Sequence, residues 1–318
     1  MAQPGRNVLQ MINAVQQEMG LPVSATIFGN SDQSTVQLLS FLQAANEELR
    51  ESNDDGWSVC EVEFNILVTV PITTTGTVTL NSAVITGIPS TAALSANNWV
   101  VTGSSIAQSA RIKSVDSATQ ITMNMVSTGT AVATTLVFAQ DSYALPSDLN
   151  RYGNRTFWDR TNRWELLGPD SAQLDQWHKS GVVATGPRRH FRDAGPSANQ
   201  FKLWPPPSEI TTPIQLVFVY SSLNTVNVNG GGTTFAQAFV NDLDQPLLND
   251  RALILGVKWR FWEQKGMNWV SKRDEYDKYL ERLLARDNPS QTLSIIPRIS
   301  PLLISPSNVQ DGYFPSGT

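Results

Sequence analysis

Cysteine and histidine are almost missing from this 318-residue chain, which holds one cysteine, Cys60, and two histidines, His178 and His190. A single cysteine excludes an internal disulfide framework and any Cys-x-x-Cys redox or zinc motif. The histidines stand in no HExxH or comparable ligand spacing, so the sequence predicts no zinc hydrolase, no metal site and no cofactor. A GxSxG nucleophile elbow is also lacking. The run Gly230-Gly231-Gly232-Thr233-Thr234 lacks the Gly-Lys-Ser/Thr ending of a phosphate loop and reads as a flexible loop. No apolar run approaches the ~18 residues that span a bilayer. The N-terminal residues lack the basic and apolar regions of a secretory signal. Charge is scarce too, at 16% of residues, where about a quarter is usual. Ser, Thr and Asn fill the gap, a composition that favours strands and turns.

The charge that exists is unevenly spread. Residues 1–63 hold two basic and nine acidic groups, whereas residues 151–202 hold nine basic and five acidic. Acidic helices facing water would account for the first stretch. A meeting of the two stretches, within one subunit or between neighbours, would account for both. The net charge of −5 argues against a protein that grips nucleic-acid phosphates.

Periodicity divides the chain. Residues 1–63 read as a helical segment: Leu9, Ile12, Val15 and Met19 mark one helix, and Val36, Leu39, Leu42 and Leu49 mark a second over about 34–51. Trp57 is expected to pack back onto the pair. From Val62 the period falls to two, through Phe64, Ile66, Val68 and Val70. Short strands separated by turn residues continue to Gln140, predicting an inserted β domain over 64–141, a small barrel or sandwich. Residues 142–240 form a mixed β-rich segment in which 200–204 and 214–220 read as paired strands. Residues 241–288 read as a helical hairpin. Asp244 is the expected cap of its first helix, Pro246 stands just inside, and Leu247, Leu248, Leu255, Trp259 and Trp262 give its apolar side. Ser271–Asp274 fits a capping box for the second helix. Residues 289–318 carry Pro289, Pro297, Pro301, Pro306 and Pro315 and so predict an extended arm. The fold class is therefore α+β: a helical body, an inserted β unit and an arm.

Candidate chemistry is thin. Cys60 with a histidine makes a formal nucleophile pair, but a small buried thiol is the plainer reading. Asp54-Asp55, or Asp159 with Glu165, are carboxylate pairs of the kind that more often cap turns. Trp204-Pro205-Pro206-Pro207 reads as a rigid corner rather than a polyproline ligand. The richest stretch is Arg151, Arg155, Trp158, Arg160, Arg163 and Trp164. Arg and Trp are the residue types of protein-contact hot spots, so these six are the candidate subunit-contact residues. Stacking on single-stranded nucleic acid is the competing use. In the arm, Leu293, Ile295, Ile296, Ile299, Leu302, Leu303 and Ile304 form an apolar docking set.

The order of parts carries a resemblance. N-terminal helices, a Ser/Thr-rich β insert, the step Tyr143-Ala144-Leu145-Pro146-Ser147-Asp148-Leu149, a strand end at Leu203-Trp204-Pro205 and closing helices follow in turn. This resembles the head-to-tail adaptor (neck or connector) proteins of tailed bacteriophages, including the tail tubular A type. The resemblance spans roughly 7–288, and the insert at about 64–140 departs from the shorter, more helical members. It implies a structural virion protein, assembled in the host cytoplasm, that is neither enzyme nor membrane protein. It implies a ring of about twelve copies, a dodecamer, between the portal ring and a downstream tail or nozzle protein. The arm would dock on the portal, and DNA would pass through the channel without specific binding. The acidic net charge suits passage, since a basic channel would hold DNA tightly. Another tail component, a tail-tube or receptor-binding protein, is the first alternative; a virion-borne cell-wall hydrolase is the second.

Overall fold

The computed structural model describes residues 5–153, 155–180, 189–193 and 199–287. Four helices build one body. Helix α1 (Val8–Met19) starts at Asn7, where Asn7 and Gln10 satisfy each other's backbone N–H in a capping box. Helix α2 (Gln33–Glu51) starts at Asp32. Its buried stripe is Leu38, Leu42, Ala45 and Leu49, together with the polar Thr35 and Asn46. Val36, expected in that stripe, is exposed, because it lies off the phase set by the buried residues. Trp57 does pack onto the pair, and its indole N–H donates to the Leu49 carbonyl at 2.6 Å.

Two later helices close the body: α4 (Asp250–Gln264) and α5 (Val270–Asp287), with α3 (Ala172–Lys179) standing apart in sequence. Helix α4 is buried almost all round, from Ala252 to Trp259 and at Phe261. Gly256 lets it approach α2 closely, since a Cβ there would lie 3.0 Å from that of Ala45. Lys258 pairs with Glu18 of α1 and Arg260 with Glu48 of α2. The expected cap at Asp244 is corrected. The Asp244 carboxylate is buried and accepts N–H groups from Asn229, Val240 and Asn241 at 2.7–2.9 Å. Thus occupied, it folds a loop, and Asn249 caps α4 instead. Pro246 lies in a two-residue strand, and Leu247 and Leu248 precede the helix. Ser271 is likewise inside α5, whose first bonds go to the Trp269 carbonyl. Among the described residues no helix is long and apolar enough to cross a membrane.

Apart from a small sheet of the two-residue strands Val226–Asn227, Phe235–Ala236 and Gln245–Pro246, the described β structure falls into two units. In the first, Glu61–Val68 pairs along its length with Ile214–Ser222, and Leu149–Tyr152, Trp158–Asp159 and Trp164–Glu165 complete that sheet. A second sheet joins His190–Asp193, Gln200–Trp204 and Ser142–Ala144. The expected pairing of 200–204 with 214–220 is thereby corrected. The proline-rich link between Trp204 and Ile214 carries the chain from one sheet to the other. Side chains from both sheets share one core, where Phe157 stacks on Phe191 at 3.9 Å between centroids and Phe218 lies 4.9 Å from Phe157.

The other unit is six-stranded and antiparallel, in the spatial order Trp99–Gly103, Ala131–Gln140, Ile72–Val78, Val84–Thr86, Gln120–Met123, Ile112–Ser117. A bridge from Val100 to Arg111 brings its two ends together and closes a small barrel around Val78, Ile85, Ile121, Leu136 and Phe138. The strand at 61–68, expected to open this unit, belongs to the other sheet. Its alternation was that of a half-buried strand, which names no partner. The whole is α+β, and the arm at 289–318 lies outside the described residues.

Candidate functional site: an arginine–tryptophan concavity

Asp159 creates the local geometry. Buried itself, it accepts the backbone N–H and the side-chain amide of Asn162 at 2.8 and 2.7 Å. This folds the turn between Trp158–Asp159 and Trp164–Glu165, so the carboxylate is committed to structure and not paired for catalysis. Arg155 and Arg163 take left-handed backbone angles, φ 58° and 59°. The turn holds Trp158 and Trp164 outward, 46% and 41% exposed.

A surface cavity of about 520 Å³ results, lined by Glu63, Arg155, Trp158, Arg160, Arg163, Val217 and Val219. The structure thus brings together Arg155, Trp158, Arg160 and Arg163, with Trp164 paired across the strand from Asp159. Arg160 donates to Glu63 at 2.6 Å. Arg151 is turned to a different task. It donates to Glu51 and to the Asp54 carbonyl, both at 2.7 Å, and so ties the central sheet to the end of α2. The acidic and basic stretches therefore meet within one subunit. Among the described residues Arg155 and Arg163 have no carboxylate in ion-pair range. Two large exposed aromatics beside two uncommitted guanidiniums make a surface suited to protein contact.

The other candidates settle as structure. Burial pushes the Cys60 thiol up to about 11, and the nearby Asp287 carboxylate adds to the rise. Trp204 is paired in a strand opposite His190. The docking set Leu293, Ile295, Ile296, Ile299, Leu302, Leu303 and Ile304 lies outside the described residues.

One constellation escaped the sequence. Asp170, His178 and His190 converge, with the Asp170 carboxylate 3.3 Å from Nδ1 of each ring. Their spacing matches no ligand motif. The fold assembles them by running 167–170 beside 189–191: Leu167 N–H donates to Arg189, Phe191 N–H to Leu167, and Asp170 N–H to Phe191.

The described residues thus combine a helical body, a two-sheet core carrying a side barrel and an exposed Arg/Trp surface. A family model described as SU10 adaptor protein matches residues 106–294, more than half of the chain. The chain belongs to that family: it is a phage adaptor, a structural protein of the virion. No match is found among curated proteins.

Proposed function

We propose that this adaptor forms a ring between portal and tail and lines the channel through which DNA leaves. The observation that carries this reading is the family match over 106–294. The Arg/Trp concavity supports it, because a ring needs unlike patches that meet head to tail. In this reading Arg155, Trp158, Arg163 and Trp164 face the neighbouring subunit, with Arg160 at the rim. Arg151 contributes by holding the sheet against α2. The finer assignment to the tail tubular A type rests on the order of parts alone, and the copy number of about twelve comes with the same resemblance. The low charge of the barrel, where Arg111, Lys113 and Asp116 are the charged residues between Phe64 and Gln140, fits a lobe that packs or lies exposed without gripping DNA.

The test is assembly on a template. Purified portal rings mixed with the protein and imaged by electron microscopy should gain a new layer of cyclic density on one face. Portal rings without added density at any protein concentration reject the proposal. Label at the fibre tips of whole virions, using antibodies against this chain, would transfer it to the receptor-binding alternative.

A further inference from the structure

We infer that Asp170, His178 and His190 form a binding site for a zinc-class transition-metal ion, which clips helix α3 to the second sheet. The inference stands on the site's own geometry and independently of the ring proposal.

The first observation is an orphaned atom. The His178 side chain is only 2% exposed, yet its Nδ1 makes no hydrogen bond. It lies 3.3 Å from an Asp170 oxygen, but not in hydrogen-bond alignment. A buried polar atom left in this way requires an explanation. In its Nε2–H tautomer His178 presents a lone pair beside a carboxylate, and two acceptors side by side call for a cation between them.

The second observation is distance. Zinc bound at about 2.0–2.1 Å by nitrogen and oxygen sets neighbouring tetrahedral ligands about 3.3–3.4 Å apart. His178 Nδ1 lies 3.3 Å from Asp170 Oδ2, and His190 Nδ1 lies 3.3 Å from Oδ1 in a hydrogen bond that the ion would replace, so the carboxylate faces both rings at this distance. The three ligand atoms all lie within 4.8 Å of one another, so any wider His–His gap closes by a turn of one ring. His190 is the freer of the two, at 18% side-chain exposure. The Asp170 backbone is fixed by its N–H bond to Phe191 at 2.8 Å. Gly168 allows this close run, since a Cβ there would lie 2.5 Å from the Phe191 carbonyl oxygen.

The third observation is room. A cavity of about 10 Å³ beside the cluster borders Asp170 and His190 but not His178, and it is at the lower end of the ~10–15 Å³ that a single water needs. Two imidazoles, one carboxylate and one water make an open four-coordinate set.

The surroundings decide the kind of ion. Arg111, Lys179, Arg192 and Lys202 line the same cavity, balanced in part by Asp141 and Asp175. A hard cation such as calcium or magnesium, held by charge and oxygen ligands, gains little there. A borderline-soft ion of the same charge meets the same field but gains the imidazole bonds that a hard cation lacks. The position gives the clip a use. The Lys179 carbonyl at the end of α3 accepts the Ser109 hydroxyl of the barrel unit, so fixing α3 steadies that junction.

The test uses untagged full-length protein treated with a chelator and dialysed. Cobalt titration should give a tetrahedral-type visible band that saturates at one ion per chain and is displaced by zinc. Zinc in large excess over its dissociation constant should raise the unfolding midpoint by about 5 °C. Because the chain has two histidines, imidazole nitrogen spectra resolve both, and both Nδ1 signals should move on zinc addition. His190→Gln and Asp170→Asn should abolish the band and the thermal shift. His190→Gln replaces the more exposed ring, and circular dichroism checks that it folds. No band with wild type, or a band that survives both substitutions, overturns the site. Unmoved Nδ1 signals in the presence of zinc do so as well.

Discussion

Arg111 and Asp141 form a two-pronged ion pair that joins the barrel's last-placed strand to the residue where the chain leaves it. One guanidinium nitrogen lies 2.9 Å from Oδ1, the other reaches Oδ2, and the Asp141 side chain is 1% exposed. Ser142 donates a further hydroxyl at 3.0 Å. Removing the arginine leaves a buried carboxylate without its charge partner. Arg111→Met should therefore destabilise the protein by about 3–5 kcal/mol, read from the midpoint of denaturant unfolding. The double substitution Arg111→Met with Asp141→Leu should recover most of that loss, because the buried charge is gone. A single-variant loss below about 1 kcal/mol would place the pair with solvent-screened surface bridges.

Cys60 gives a prediction about pH. Burial first, then Asp287, raises its thiol pKa from 9.0 to about 11. Thiolate is the reactive form, so at pH 8 its fraction is on the order of 10⁻³. A disulfide reagent at pH 8 should leave the folded protein almost unmodified and react fully once denaturant is added. The native rate should climb as pH rises toward 11. The linkage has a definite sign. In the unfolded chain the thiol ionises near pH 9 and in the folded one near 11, so the folded state holds the proton longer. Stability from this group is complete below pH 9 and falls as pH rises between the two values. Rapid labelling of native protein at pH 8 would show an accessible thiolate.

The parts of the fold that were legible in sequence are those written in local periodicity. Both N-terminal helices lie within a few residues of their expected places, and short strands do run on to Gln140, because apolar spacing and turn residues are local signals. Partners were not legible. The alternation at 61–68 is the same whether the strand pairs with the barrel or with Ile214–Ser222. Asp244 carries a good cap residue's chemistry, but three loop N–H groups compete for it. In the candidate site, residue type alone pointed to Trp158 and Arg163. It could not separate Arg151, which the fold pairs with Glu51 at the end of α2. The Asp170–His178–His190 cluster depends on strand neighbours and leaves no trace in spacing.

The barrel should fold by itself. Its core cluster is drawn wholly from residues between Ile72 and Phe138, and its ends are joined by the Val100–Arg111 bridge. A fragment of residues 70–142, which keeps the Arg111–Asp141 pair, should give β-type circular dichroism and a cooperative melt. A fragment of 61–142 should fold but self-associate, because it carries the 61–68 strand without Ile214–Ser222 and so presents an open edge. Analytical ultracentrifugation separates the two. A disordered spectrum for the shorter fragment would show that the barrel needs the two-sheet core.

Composition supports a docking role for the arm. Seven Leu and Ile residues stand between Leu293 and Ile304, with Arg298 and Asp311 as the charges of 289–318. Burying them is worth on the order of 10 kcal/mol gross, at ~1.5–3 kcal/mol each before ordering costs. The family match ends at residue 294, so most of this set lies past it. Deleting 291–318 should leave the melting temperature of the monomer nearly unchanged and remove portal binding in a pull-down. An unfolded deletion product would instead assign the segment to the chain's own core.

The last prediction concerns the ring contact. Trp158 and Trp164 are exposed and lie on the edge hairpin of the central sheet, so their rings add little to the monomer. Surface substitutions of this kind change stability by about 0.5 kcal/mol or less. At the centre of a subunit interface the same rings would each carry about 2 kcal/mol, roughly 30-fold in the concentration needed to assemble. Trp158→Ala and Trp164→Ala should therefore melt like wild type yet need about 30-fold more protein to coat portal rings. Arg163→Glu should do the same, with an effect that shrinks as salt is added. Arg160→Ala is the control. Its partner Glu63 is in the same subunit and both are about half exposed, so its loss should shift assembly by less than about 1 kcal/mol. If the double tryptophan variant coats portal as readily as wild type, the ring contact lies on another face.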